Sequence, residues 1–248
     1  MFYRSCIRSY LVMSFACLTL VGCATALPPV AEYAPHFTYS YPASEATASD
    51  VTIAIVRPVD ATGLVNAGQM GTLYVQNAMA FNIAMAAQFQ ELLNKKGFKQ
   101  TGPFDDLNSM TFVDKRGADL VLTPQVGIAI ATPPEKMEQQ DTLFGTRPGV
   151  IYKSFGPCTA SGFVSFILVE PLSGEKLWVK KVDVPPTEVD CTGERAGPGL
   201  GTIIANNSAH ALEKVFPVVM KKAWDYFSPE EVMLIKRQSL EIRAKKVY

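Results

Sequence analysis

The hydrophobic pattern changes period several times along the chain. Tyr10 to Val21 is an uncharged apolar run preceded by Arg4 and Arg8 and closed by Leu20-Val21-Gly22-Cys23. Residues 24–50 are rich in Pro, Ala, Ser and Thr, and Pro28, Pro29, Pro35 and Pro42 favour extended chain. Inside that stretch Phe37, Tyr39 and Tyr41 alternate with Thr38 and Ser40, the period of a short half-buried strand. Val51 to Arg57 is a β-branched run stopped by Pro58, and the glycine-rich residues 59–71 read as a loop.

From Thr72 to Lys96 the spacing becomes helical, with Phe81, Met85, Phe89, Leu92 and Leu93 on one face; Met79 and Met85 read as core filling. Lys95-Lys96-Gly97 has the chemistry of a helix C-terminus, cations followed by a glycine that can turn left-handed. Phe98 and Lys99 suggest a short strand ended by Gly102-Pro103. The polar residues 104–118 have room for one short helix. Asp119 to Ala131 is a long strand, in which Pro124 demands an edge position or a bulge. Residues 133–150 and 185–201 read as loops. Between them, Thr159 to Val169 and Glu175 to Val184 form a hairpin around Pro171-Leu172-Ser173-Gly174. Asn206 to Phe227 returns to helical spacing, with a kink expected at Pro217. Ser228-Pro229-Glu230-Glu231 then starts a last helix, to about Lys245, with Ser at the N-cap and Pro in the first turn. The order strand, helix, three strands, two helices predicts one α+β domain: a mixed, largely antiparallel sheet with long helices packed on it.

The N-terminal run has the order of a secretory leader, and it is shorter than the ~20 apolar residues a spanning helix needs. Its last four residues match a lipobox, the Leu-x-Gly/Ala-Cys signal of bacterial lipoproteins. The expected organisation is a signal peptide over 1–22, an acylated tether over 23–36 beginning at lipidated Cys23, and a folded domain over 37–248. A cleaved leader with a chance cysteine is the alternative. Acyl chains, palmitate among them, give stable anchoring when two or more are present. Ala24 in place of Asp points to the outer membrane under the Gram-negative sorting rule. A tether of about 25 extended residues would reach ~80 Å at ~3.3 Å each.

Of five cysteines, Cys6 and Cys17 leave with the leader and Cys23 is taken by lipid. Cys158 and Cys191 remain near the open end of the hairpin, and an oxidising compartment favours a disulfide between them over two free thiols. The chain holds 23 basic and 23 acidic residues. Loss of Arg4 and Arg8 leaves 21 − 23 = −2, with no basic excess to suggest nucleic acid or a polybasic grip on a membrane, and no nucleic-acid partner is expected. No Gly-x-Ser-x-Gly elbow, Walker loop or His-Glu-x-x-His motif occurs, so no metal, cofactor or catalytic residue is assigned and an enzyme is not expected. His36 falls in the tether, and His210 lies three residues before Glu213 on a helix. Asp105-Asp106 reads as a solvated loop and Glu230-Glu231 as a helix start.

Several stretches, in order, resemble the neuraminyllactose-binding haemagglutinin family, bacterial lipoproteins described as adhesins and flagellar-sheath proteins. They are Tyr41-Pro42-Ala43-Ser44-Glu45, Ile53-Ala54-Ile55-Val56-Arg57-Pro58, Leu92-Leu93-Asn94-Lys95-Lys96-Gly97-Phe98, Gly162-Phe163-Val164 with Ile167 through Glu175, and Lys214-Val215-Phe216. The resemblance implies an outer-membrane or flagellar-sheath lipoprotein, held by its lipid anchor, with a structural or adhesive role. Its partners would be an envelope or sheath protein and a host glycan. The family's sialic-acid motif is a basic run after the long middle strand. Here that place reads Pro134-Glu135-Lys136-Met137-Glu138-Gln139-Gln140, where Glu135 and Glu138 would repel a sialic carboxylate, so no binding residue is carried over. The other reading is a periplasm-facing accessory lipoprotein that docks an envelope machine.

Overall fold

The computed structural model describes residues 31–43, 48–61, 72–140, 149–196 and 200–246; the leader and Cys23 lie outside them. In chain order the elements are β1 (Thr52–Val56), β2 (Val59–Asp60), α1 (Thr72–Lys95), β3 (Lys99–Phe104), α2 (Phe112–Gly117), β4 (Leu120–Ala131), β5 (Glu135–Gln140), β6 (Gly149–Ser154), β7 (Pro157–Val169), β8 (Lys176–Asp190), β9 (Gly193–Ala196), α3 (Leu200–Tyr226) and α4 (Pro229–Lys245). The main sheet runs β3-β1-β4-β7-β8, with β2 continuing beside β4 beyond β1. β1 is parallel to β3 and β4, while the long β4–β7 and β7–β8 ladders are antiparallel. A second sheet runs β5-β6-β9. This is the expected single α+β domain with a mixed sheet.

Helices α1 and α3 lie on one face of the main sheet. The four-residue spacing of Phe81, Met85 and Phe89, continued by Leu92 and Leu93, puts one stripe of α1 into the core, where all five are buried. Phe166 of β7 takes Phe89 edge-on at 5.4 Å between ring centroids and sits 6.2 Å from Phe227. Gly97 ends α1 with φ of 82°, the left-handed conformation expected of it. The opposite sheet face carries a smaller core of Val56, Met110, Val121, Ile167 and Val169. It is covered by the segment holding α2, whose start is closed by a capping box between Thr111 and Asp114.

Five loop and strand boundaries differ from the sequence expectation, the first being β2, a two-residue strand at the start of residues 59–71. Residues 37–41 keep their alternation, with Phe37 and Tyr41 buried, but form no strand. They lie against the helices, which offer no ladder, and the Tyr41 hydroxyl donates instead to the Gln88 carbonyl at 3.0 Å. β3 does not stop at Gly102-Pro103. It runs to Phe104 through Gly102 at φ of 97°, with a register irregularity opposite Ala54 and Val56. Residues 133–150 contain β5 and the first two residues of β6, and 185–201 contain the end of β8 and all of β9. β5 and β9 are polar and the end of β8 bears two prolines, so they show no alternation to detect, and the apolar run of β6 is only Val150-Ile151-Tyr152. Pro185 and Pro186 fit because β8 is an edge strand. The ladder steps from Gly162–Val184 to Ala160–Thr187, leaving both prolines in a bulge. Pro124 is accommodated within central β4, because β1 pairing ends at Leu122 and β2 pairing begins at Gln125.

Ser228 caps α4 as expected, accepting from the Glu231 N–H. Several side chains then fasten α4 to the sheet. Lys236 pairs with Asp119 at 3.1 Å, Ser239 donates to the Asp119 carbonyl, and Arg243 reaches Glu170 at 2.7 Å and the Ala118 carbonyl at 2.6 Å. Cys158 and Cys191, 33 positions apart in sequence, are joined in a disulfide with Cα atoms 5.4 Å apart. A closure of that length restricts the unfolded chain by about 3–4 kcal/mol on the loop-entropy model.

Candidate functional site

The clearest assembly of polar side chains joins the extended residues 31–36 to the first half of α3. The Tyr33 hydroxyl donates to both Glu213 carboxylate oxygens at 2.8 Å, and the His36 backbone N–H donates to Oε1 at 2.6 Å. His210, one turn earlier on α3, places Nδ1 3.3 Å from Oε2 and its ring 4.0 Å from the Tyr33 ring. Asn206, a further turn back, completes the seam. Its Oδ1 accepts from the Tyr33 N–H at 3.0 Å and its Nδ2 donates to the Ala31 carbonyl at 2.8 Å. Residues 206, 210 and 213 share one face because they are spaced at one turn. Phe37 then plugs the segment into the core between Phe81 and Phe216. The expected free tether to residue 36 is therefore held against the body from Ala31 onward.

Two open cavities flank His210. One, of about 460 Å³, is lined by Asp190, Asn207, His210, Glu213 and Lys214. The other, of about 310 Å³, is lined by Ala31, Glu32, Tyr33, Ile203, Asn206 and His210 among others. The Glu213 carboxylate is committed to the donors named above, and the hydrogen bond it accepts raises the Tyr33 phenol above its ordinary range. Lys214 donates to the Glu188 carbonyl at 3.3 Å, tying α3 to β8. The seam is thus built to hold a strap in place.

Among the described residues no cluster of His, Cys, Asp or Glu is arranged to hold a metal ion. No helix among them is long and apolar enough to cross a membrane. Asp105 pairs with the Arg57 guanidinium on the surface, and Glu231 accepts from Trp178 Nε1 at 2.7 Å. In the stretch that replaces the basic family motif, Glu138 of β5 pairs with Lys153 of β6 at 2.7 Å. Tyr33 and Asn206 were not legible as functional in the sequence. The only local signals were an aromatic ring in a proline-alanine stretch and the His210–Glu213 spacing.

No family model matches the sequence, and no curated protein does. Among solved structures, a neuraminyllactose-binding hemagglutinin homolog from Helicobacter pylori is 18% identical, with 82% of this chain and 98% of that one covered and a TM-score of 0.58. That likeness is one of fold. A Xanthomonas campestris protein matches at 9% identity over 84% of this chain and 98% of its own, with a TM-score of 0.37. A lipoprotein from Neisseria meningitidis matches at 16% identity over 70% and 98%, with a TM-score of 0.28. Neither of these two superposes well enough to carry an argument.

Proposed function

We propose that this chain is a lipid-anchored envelope protein of the outer membrane or flagellar sheath, with a structural or adhesive role and no catalysis. The observation that carries the reading is Leu20-Val21-Gly22-Cys23 at the end of a basic-then-apolar leader. The fold shared with the hemagglutinin homolog and the disulfide between Cys158 and Cys191 support it, since a disulfide belongs to an oxidising compartment. The strap fits the same role. An anchor at Cys23 would pull on the body through residues 31–36, and these are hydrogen-bonded to α3 at Asn206 and Glu213.

Mass spectrometry of the protein purified from cell envelopes tests the reading. The expected N-terminal peptide begins at Cys23 and carries a thioether-linked diacylglycerol and an amide-linked acyl chain. A free thiol at Cys23, or an uncleaved leader in exported protein, would overturn it. Protease treatment of intact cells then separates an outward-facing adhesive or sheath protein, which is cleaved, from a periplasm-facing accessory protein, which is protected.

A further inference from the structure

The charges of this chain are unevenly placed. Charged residues make up 19% of it, yet no Asp, Glu, Lys or Arg occurs between Asp60 and Glu91, or between Arg195 and Glu213. Those two stretches contain the first halves of α1 and α3. The two helices run in the same direction. Asn77 Nδ2 donates to the Ala205 carbonyl near their starts, and Phe89 and Phe227 meet near their ends. Their uncharged starts therefore lie together, while Glu91, Lys95, Lys221 and Asp225 mark the other end.

Exposed apolar side chains stand at the uncharged end. Met79, expected in the core, is 51% exposed, and Ile83, one turn further along α1, is 60% exposed. Phe155, 55% exposed, precedes the Gly156 whose carbonyl accepts from Cys191, and β9 brings Gly193 against Ile203 of α3. The strap emerges at this same end, with Ala31 beside Asn206. Cys23 is 31 − 23 = 8 residues away, so an anchor there stands at most ~29 Å from Ala31 at ~3.6 Å per residue. That is far shorter than the free tether the sequence suggested.

We propose that the end of the body where α1 and α3 begin, with Met79 and Ile83 at its surface, rests on the lipid surface that holds the anchor. The inference builds on acylation at Cys23. A short, fastened linker presents this end to the bilayer. Entering the interfacial region there takes exposed apolar area of α1 out of water and strips none of the charges of α1 or α3; Glu32, which lines a cavity with Ala31 and Ile203, is a charge of the strap itself. The charged ends of α1 and α3 point away.

Acylated protein in vesicles of phosphatidylethanolamine and phosphatidylglycerol provides the test, with Ile83→Cys and Lys221→Cys each carrying an environment-sensitive fluorophore. With Cys23 acylated and Cys158 paired to Cys191, the introduced thiol is the free one. The expected result is a blue shift and quenching by brominated lipid at position 83, and neither at position 221. Flotation with vesicles but a water-exposed label at 83 overturns the inference and leaves the anchor intact. Failure to float removes the anchor, and the inference with it. A blue shift at 83 that needs protein concentration rather than lipid assigns the face to a second copy and likewise overturns the proposal.

Discussion

Replacing Arg243 with Met removes a positive charge from a place where the opposing carboxylate cannot follow it into water. The Glu170 side chain is 0% exposed and that of Arg243 18%. Arg243 Nε lies 2.7 Å from Glu170 Oε1, and its terminal nitrogen donates to the Ala118 carbonyl at 2.6 Å. Removing one member of a buried pair costs about 3–5 kcal/mol, because a charge is left desolvated. Here Glu170 keeps the Ser173 N–H and Arg243 is partly solvated, which places the loss near the lower end, about 3 kcal/mol. With a urea slope of about 1–3 kcal/mol per molar, the unfolding midpoint should fall by roughly 1–3 M at neutral pH.

The pH dependence gives the reasoning a second handle. Burial pushes the Glu170 carboxyl up, but the Ser173 N–H and the Arg243 guanidinium outweigh it and hold the group below the usual carboxylate range. A depressed folded value adds stability that is complete above the unfolded pKa of about 4.3 and lost as pH falls through the folded one. The gap between parent and variant should therefore close on acidification below pH 4. A loss under about 1 kcal/mol at pH 7 would refute the argument, since it lies below the range for a broken buried pair. So would a loss that persists undiminished in acid.

A methyl group at Gly162 would lie 2.0 Å from the Gly127 carbonyl oxygen, and φ there is 141°. Gly162→Ala should thus destabilise by several kcal/mol, on the order of 3 or more, or abolish folding. Gly117, with nothing within 4 Å, should accept Ala with a small gain of about 0.5 kcal/mol; thermal unfolding compares the two. Glu213→Leu removes the acceptor for Tyr33 and His36, so limited proteolysis should cut within residues 31–43 before the core unfolds. Cleavage no faster than in the parent would show that Asn206 and Phe37 hold the strap without Glu213.

Local chemistry determined much of this protein. The stripe from Phe81 to Leu93, Gly97 after it, the Ser228 cap and the hairpin around Pro171–Gly174 each involve residues a few positions apart, so their periods and turn signals are written in the chain. The pairing of Cys158 with Cys191 followed from the same hairpin. Tertiary structure alone decided what depends on neighbours distant in sequence. Polar β5 and β9 are strands because each pairs with β6, and Phe37 to Tyr41 is not one because helices lie beside it. Met79, expected in the core, faces outward as its place two residues from Phe81, about 200° around α1, requires, whereas Tyr33 meets Glu213 across 180 residues. A contact of that range leaves no periodic trace, since neither residue's own neighbours are changed by it.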